Sequence, residues 1–150
     1  MNNLTLVIPA KYEVESLPSV LEEIKDKNCE VIIVLEESDT QTINAIKKYN
    51  KTIIYQTGKG YGNALIEGIN NTKTKNLCIF NADGSFNPKE LGEMLEKLNK
   101  ENLDIIFASR YEKNSGSDDD TIITYVGNKC FSLIGKIFFF LPISDILYTF

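Results

Sequence analysis

The chain has 150 residues, of which 43% are hydrophobic and 25% charged, a composition typical of one folded globular domain and unlike a disordered chain. Its formal net charge of -5 argues against nucleic acid as a partner, because non-specific binding to nucleic acid requires a basic surface. The chain has no histidine, which excludes Ser-His-Asp and Cys-His catalysis and any histidine-ligated zinc site.

The first half of the chain alternates apolar runs with helical patterns. Residues 4–8 form an apolar run that ends at Pro9, as expected of a strand buried on both faces. Four apolar residues at helical spacing, from Leu17 to Ile24, then predict a helix that Ser16 can cap. The same reasoning predicts a strand over 31–35, a helix over 40–49, a strand over 52–55 and a helix from the glycine-rich segment 58–62 to about residue 70.

The second half continues this alternation. Residues 77–80 predict a fourth strand, and Asn87 is expected to cap the next helix, with Pro88 at its first position and Glu90 at its third. Residues 104–109 predict a fifth strand, residues 114–120 a mobile acidic loop, and the rest a helix to about residue 140. The fold class is therefore α/β, a mostly parallel twisted sheet flanked by helices and Rossmann-like, in one domain without repeats.

Polar segments follow every predicted strand. In an open parallel sheet, ligands bind at the carboxyl ends of the strands, where these segments would meet. The alternative is that such loops are polar in all proteins, which accounts for any single loop better than for all of them together. The segments are residues 10–13, 36–39, 58–62, 81–85 and 110–111.

The segment Asn81-Ala82-Asp83 carries the most chemical information. Two oxygen-bearing side chains two residues apart at a strand end can share one divalent cation, which would neutralise a diphosphate. The alternative is that Asn81 and Asp83 stabilise a turn or a helix cap, as these residue types commonly do.

The glycine-rich segment 58–62 offers backbone amides and Lys59 to a phosphate at the start of a helix, although it can equally be a plain turn. It has neither the spacing of a dinucleotide-binding fingerprint nor the Gly-Lys-Ser/Thr of a P-loop. The acidic pair Glu36-Glu37 belongs to a solvated loop or holds a ribose hydroxyl. A phospho-receiver domain is disfavoured because Pro9-Ala10 follows the first strand, where that fold needs acidic residues.

In order and spacing, these segments resemble a family-2 glycosyltransferase of the GT-A fold, most closely the dolichyl- or polyprenyl-phosphate sugar synthases. The resemblance covers nearly the whole chain, and its most specific parts are the first, fourth and fifth segments below. The segments are residues 7–13 (VIPAKYE), 31–38, 59–64 (KGYGNA), 81–84 (NADG) and 108–111 (ASRY).

The resemblance implies transfer of a hexosyl group, with inversion, from a nucleotide-diphosphate sugar to a lipid-phosphate or glycan acceptor, in cell-envelope glycan synthesis. It also implies Mg²⁺ or Mn²⁺ on an Asp-x-Asp motif, with Asp83, Asn81 and Ser85 as the ligands. Asp83 and Asp145 are the implied catalytic residues, with Asp145 on the acceptor side. The implied nucleotide-sugar-binding residues are Pro9, Lys11, Glu13, Glu36, Lys59, Gly60, Asn81, Ala82, Asp83 and Arg110.

Three positions depart from the family pattern. Asn81 stands where the first acid of the Asp-x-Asp motif is usual, Leu35-Glu36 replaces an Asp-Asp pair beside the nucleobase, and Lys11 replaces an aromatic residue. We expect residues 1–150 to be one GT-A domain that is truncated on its acceptor side. The alternatives are a degenerate module that binds nucleotide sugar without turnover and a sugar-phosphate nucleotidyltransferase, which would need a basic glycine-rich loop after the first strand.

The cysteines and the termini indicate a compartment. Cys29, Cys78 and Cys130 are odd in number and far apart, which favours buried free thiols in a reducing compartment. No secretion signal is visible, and the apolar stretch 131–141 is shorter than the about 20 residues that a spanning helix needs. We expect a cytoplasmic protein, and the resemblance adds peripheral association with the cytoplasmic face of the membrane.

Overall fold

The structure, a computed structural model, describes residues 3–109, 121–141 and 143–146 of the chain. It divides into two compact units, Met1–Leu103 and Asp104–Phe150.

The first unit is a four-stranded parallel sheet with helical connections. Its strand order is β3-β2-β1-β4, and Val7 in β1 is paired with Ile32 in β2 and with Ile79 in β4. This confirms the predicted α/β, Rossmann-like fold class. The elements are β1 (Leu4–Pro9), α1 (Ser16–Glu23), β2 (Glu30–Leu35), α2 (Thr40–Ile46) with a 3-10 turn (Lys47–Tyr49), β3 (Thr52–Tyr55), α3 (Tyr61–Asn70), β4 (Asn76–Ile79) and α4 (Glu90–Lys100).

The core of this unit lies on the two central strands. All six residues of β1 and five of the six in β2 are buried, which is why both strands are continuous apolar runs in the sequence. The predicted apolar face of α1, from Leu17 to Ile24, is buried. Helix α3 packs so closely on β1 and β2 that a Cβ at Gly68 would overlap the Val7 side chain and lie 3.1 Å from Cγ2 of Val34.

Three local predictions are corrected. Residues 104–109 are not a strand: Ile105 and Phe107 are 63% and 45% exposed, so the apolar pattern of this segment is not used to bury a face. Ser16 does not cap α1; it is the first helical residue, and its hydroxyl donates to Glu13. Helix α4 begins at Glu90 and not beside Asn87, although Oδ1 of Asn87 accepts a hydrogen bond from the backbone N of Lys89 at 3.1 Å.

The second unit contains helix α5 (Ile122–Phe139), which agrees with the predicted helix to about residue 140. Its first turn is fixed by a capping box between Thr121 and Thr124. Within residues 123–139 of this helix the buried residues are small or polar, Asn128, Ser132 and Gly135 at spacing i, i+4 and i+7. The predicted acidic loop 114–120 lies outside the described residues.

The polarity of helix α5 is the reverse of that of a typical surface helix, because its buried side is polar and its exposed side is apolar. The side chains of α5 that point away from Asn128 are mostly apolar and exposed, with Ile137 57% and Phe138 71% exposed. Lys129 and Lys136 are the charged residues of 121–141, and no acidic residue occurs there. Even so, none of the helices in the described parts of the chain is long and apolar enough to span a membrane.

All three cysteines are free, as predicted, but they are not all buried. Cys29 and Cys78 are partly buried and Cys130 is exposed on α5, so the prediction of a buried thiol is wrong for Cys130. Burial raises the pKa of Cys29, and it raises the pKa of Cys78 to about 12.

Candidate functional site

The strand order determines where a ligand can bind at the edge of the sheet. The chain proceeds from β1 outward through β2 to β3 and then returns to the other side of β1 to form β4. The direction of winding reverses between β1 and β4, and in open parallel sheets the crevice outside the carboxyl ends of two such strands is the usual binding site. The loops after Pro9 and after Ile79 therefore flank the candidate site.

The loop after β1 holds two of the predicted residues in contact. Nζ of Lys11 lies 3.1 Å from Oε1 of Glu36, which follows β2, and 5.6 Å from the centroid of the Tyr12 ring. The hydrogen bond to Glu36 raises the pKa of Lys11 above its usual value. Pro9 is buried at the end of β1. Glu13 is not part of this contact; its carboxylate accepts from Ser16 at the start of α1.

A buried carboxylate joins the same two loops. Asp39 is 4% exposed, and its Oδ2 accepts a hydrogen bond from the backbone N of Tyr12 at 2.7 Å. Its Oδ1 accepts from the backbone N of Thr42 at 3.2 Å, so Asp39 also caps α2. Sequence reasoning did not select Asp39, and its only local signal is its position directly before the predicted helix at residue 40.

The glycine-rich loop after β3 is closed by its own helix. The backbone N and the hydroxyl of Thr57 both donate to Oε1 of Glu67 at 2.8 Å, and the N of Gly58 donates to Oδ1 of Asn63 at 3.1 Å. These hydrogen bonds, foremost that from the Thr57 backbone, lower the pKa of Glu67. Two amides of the loop are thus engaged within the protein, whereas Lys59 is exposed and Gly60, with φ at 84°, is the N-cap of α3.

The loop after β4 brings the three predicted metal ligands together. Nδ2 of Asn81 donates to Oγ of Ser85 at 3.1 Å, and the backbone N of Ser85 donates to Oδ1 of Asp83 at 2.9 Å. The turn is completed by Gly84, whose φ of 81° a residue with a Cβ rarely adopts. Ala82 is 4% exposed and anchors the middle of the loop.

Two aromatic side chains fix both ends of this loop. Phe80 and Phe86 are buried, and their ring centroids lie 5.7 Å apart at an interplanar angle of 89°. Edge-to-face pairs of this kind are stabilising beyond the area that they bury. The polar side chains between them, those of Asn81, Asp83 and Ser85, are consequently held on the outside of a short, well-anchored turn.

The donor atoms of this loop suit a hard divalent cation in kind, since carboxylate, amide and hydroxyl oxygens are ligands of Mg²⁺ and Mn²⁺. These donor atoms carry little negative charge, because Asp83 is the one carboxylate among residues 81–86 of the loop. Nowhere in the described ranges do three His, Cys, Asp or Glu side chains cluster as a metal site. A diphosphate would supply further oxygens to a cation held by this loop.

Asp145 lies in the second unit and is nearly inaccessible, at 1% exposure. Nδ2 of Asn128 donates to Oδ1 of Asp145 at 2.6 Å. A second contact joins α5 to the segment of Asp145, because Oγ of Ser132 lies 3.3 Å from the carbonyl oxygen of Ser144. Asn128 was not selected from the sequence, where its signal is a polar residue in an apolar helical stretch. Arg110, which was predicted to contact the donor, lies outside the described residues.

A separate cavity of about 330 Å³ is present in the first unit. It lies between α2 and β3 and shares no residue with the predicted site. Its lining consists of Ile33, Ile43, Asn44, Ile46, Lys47, Asn50, Lys51, Ile53 and Tyr55.

The sequence model of the family described as glycosyl transferase family 2 matches residues 5–147 of the chain. A protein of Mycobacterium tuberculosis described as an uncharacterized glycosyltransferase is 28% identical over 97 residues, which are 65% of this chain and 44% of that protein. One of Rickettsia prowazekii, also described as an uncharacterized glycosyltransferase, is 31% identical over 116 residues, 73% of this chain and 36% of that protein. The chain thus spans less than half the length of these curated relatives.

Two solved structures share the fold. Mannosyl-3-phosphoglycerate synthase from Rubrobacter xylanophilus superposes with a TM-score of 0.56 at 14% identity, covering 64% of this chain and 36% of that one. Glucosyl-3-phosphoglycerate synthase from Mycobacterium tuberculosis, in complex with UDP, superposes with a TM-score of 0.54 at 19% identity, covering 64% and 39%. At these identities the likeness establishes a common architecture.

Proposed function

Because the chain belongs to glycosyltransferase family 2, we propose that it transfers a sugar, with inversion, from a nucleotide-diphosphate sugar to an acceptor, and that a divalent cation assists. The observation that carries this proposal is the turn of Asn81, Asp83 and Ser85. It lies at the end of β4, beside the β1 loop, where the winding of the sheet reverses.

The residues of the β4 turn have the first role in the proposal. Asp83, with Asn81 and Ser85, would hold Mg²⁺ or Mn²⁺, which when bound supplies positive charge to the departing diphosphate. Asp83 also orients the turn, since its Oδ1 holds the Ser85 amide at 2.9 Å and leaves Oδ2 for a ligand. Ala82, which is buried, would keep the backbone close to a bound sugar-diphosphate.

The loops after β1, β2 and β3 have the second role, recognition of the donor. The nucleoside pocket would be lined by Pro9, Lys11, Glu13 and Glu36, and Glu36 can accept a hydrogen bond from a ribose hydroxyl. Lys59 and Gly60 would contact the diphosphate from the β3 side, where Lys59 is exposed and without a described partner in the first unit. We assign the same role to Arg110.

A lipid phosphate is the acceptor that we propose. Such a phosphate is ionised at neutral pH and needs little help from a general base, which suits a chain without histidine. The outward apolar face of α5, flanked by Lys129 and Lys136, supports association with an anionic membrane surface, for which basic residues beside exposed apolar side chains are typical. Asp145 would act on this acceptor side.

A second candidate function is binding of nucleotide sugar without turnover. It is favoured by one observation, the neutral Asn81 in the place of a metal-binding carboxylate. The two functions differ in whether the sugar stays attached to the nucleotide or is transferred to an acceptor. Incubation of the protein with a nucleotide sugar and a polyprenyl phosphate, followed by mass spectrometry of the lipid, distinguishes them, and 3-phosphoglycerate in a parallel reaction tests a soluble phosphorylated acceptor.

Donor binding itself is tested by thermal unfolding with UDP, GDP, CDP and dTDP, each with and without Mn²⁺. A diphosphate present at about 100 times its dissociation constant should stabilise the fold by about 2.7 kcal/mol. If none of the four diphosphates shifts the melting curve of a folded sample, the nucleotide-sugar proposal is wrong.

A further inference from the structure

We propose that Asp39 is a positioning residue of the donor pocket, whose buried carboxylate holds the β1 loop in the conformation that presents Lys11 and Tyr12 to the nucleoside. The inference rests on the proposed function, and it concerns a residue that would not itself touch the donor. It depends on the two hydrogen bonds that Asp39 accepts from different loops.

The two carboxylate oxygens of Asp39 have separate partners. Oδ2 accepts from the backbone N of Tyr12 at 2.7 Å, across 27 residues of sequence, and Oδ1 accepts from the backbone N of Thr42 at 3.2 Å. Hydrogen bonds to an ionised acceptor are about twice as strong as neutral ones, and at 4% exposure little water competes for this carboxylate. One side chain thus ties the start of α2 to the loop after β1.

The backbone of Tyr12 requires such a restraint. Its φ of 59° is in the left-handed region, which is unfavourable for a residue with a Cβ. Tyr12 is 70% exposed, so burial of its side chain does not hold the residue in place. Strained backbone persists where the surroundings impose it, and the bond from the Tyr12 amide to Asp39 is the described contact that does so.

The neighbouring ion pair depends on the same geometry. Lys11 precedes Tyr12, and its partner Glu36 belongs to the turn in which the Asp39 amide donates to the Glu36 carbonyl at 2.9 Å. The Lys11 side chain is 61% exposed and that of Glu36 30%, and exposed ion pairs contribute little by themselves. The buried carboxylate of Asp39, and not the ion pair, therefore sets the relative position of the two loops.

The substitution Asp39→Ser separates the two hydrogen bonds. Serine is a good N-cap, so it can still accept from the Thr42 amide, but its side chain is too short to reach the Tyr12 amide as well. Asp26→Ala is the matched control, because it removes an exposed carboxylate at the amino end of the sheet, before β2. Asp26 is assigned to neither the catalytic nor the donor-binding machinery.

Two measurements are made on both variants and on the unaltered protein. Titration calorimetry uses whichever of UDP, GDP, CDP and dTDP binds the unaltered protein with the highest affinity, in Mn²⁺. Amide hydrogen exchange is followed by NMR at Tyr12 and at Thr42. For Asp39→Ser we expect about a tenfold loss of affinity, with faster exchange at Tyr12 and retained protection at Thr42, and for Asp26→Ala no change.

The outcomes separate this inference from the proposed function. If the unaltered protein binds one of the diphosphates and Asp39→Ser binds it equally well, Asp39 does not position the pocket, while the proposed function stands. Loss of protection at Thr42 along with Tyr12 would show that Asp39 acts only by capping α2, which also overturns the inference. If no diphosphate binds the unaltered protein, the proposed function falls, and the exchange at Tyr12 still shows whether Asp39 holds the loop.

Discussion

Glu67 in α3 accepts two hydrogen bonds from Thr57, one from its backbone N and one from its hydroxyl, each at 2.8 Å. The contact fastens the loop after β3 to the helix that follows it, ten residues further along the chain. Asn63 adds a third bond to this loop through the Gly58 amide at 3.1 Å. The loop is therefore shaped by carboxylate and amide side chains of α3 before any ligand arrives.

The first prediction concerns pH. The pKa of Glu67 is lowered in the folded state, so its stabilising effect is fully present above its unfolded pKa and is lost as pH falls through the folded pKa. Glu67→Gln should be less stable than the unaltered protein near pH 7, and the difference should shrink as the solution is acidified below about pH 4. Urea unfolding across this range measures it, with exposed Glu96→Gln as the control. A difference that stays constant with pH would contradict the prediction.

A second prediction concerns Asp83. Because Asp83 is exposed and makes only a hydrogen bond within its own turn, Asp83→Ala should leave the fold intact. It should abolish the Mn²⁺-dependent part of nucleoside diphosphate binding, since it removes the turn's one carboxylate. Calorimetric titration with and without Mn²⁺ is the measurement. Unaltered metal dependence would place the cation elsewhere in the protein.

The third prediction concerns Asn81. Replacing it with aspartate adds a negative charge at the proposed cation, and a unit charge at about 4 Å is worth up to about 4 kcal/mol at an effective dielectric constant of about 20, before desolvation reduces it. The turn should survive, because the Ser85 hydroxyl, now 3.1 Å from Nδ2, can donate to a carboxylate. Asn81→Asp should bind Mn²⁺ more tightly in the presence of the diphosphate.

Turnover then shows what the native amide does. If Asn81 is merely a weak ligand, Asn81→Asp should raise turnover at limiting Mn²⁺. If the amide donates a hydrogen bond to the donor, metal affinity should rise while turnover falls. Equal metal affinity in the two proteins would mean that this side chain does not face the cation.

A fourth prediction tests the packing of α3 on the sheet. Gly68→Ala should destabilise the protein by about 1–3 kcal/mol, because its Cβ would overlap the Val7 side chain and lie 3.1 Å from Val34. Gly62→Ala in the same helix meets nothing within 4 Å and should be neutral or stabilising by up to about 1 kcal/mol. Urea unfolding compares the two. Equal effects would show that α3 does not pack against β1 through Gly68.

The sequence predicted best what is determined locally. β1 and β2 are buried on both faces, so their apolar runs were unambiguous, and the face of α1 from Leu17 to Ile24 followed from its periodicity. Segment 104–109 has a similar apolar run yet forms no strand, because strand pairing depends on a neighbour that the run itself does not specify. The roles predicted for the candidate site residues came from the resemblance to a known family.

What the sequence did not predict is mostly contact across the fold. Lys11 and Glu36 were each selected, but their pairing spans 25 residues and depends on the adjacency of β1 and β2. Asp39 was passed over because its bond to Tyr12 exists only once those strands are aligned. Asn128 looked like an isolated polar residue, since its partner Asp145 is 17 residues away. Local patterns contain no information on such pairs.

The exposure of Cys130 has a practical consequence. At neutral pH the thiolate is the reactive form, and burial has raised the pKa of both Cys29 and Cys78, so a maleimide fluorophore should attach to Cys130 in preference to them. The dye would then stand on the outward face of α5, close to Ile134 and Ile137 along the helix. Its emission colour would report whether that face is in water, against protein or in lipid, without any engineered cysteine.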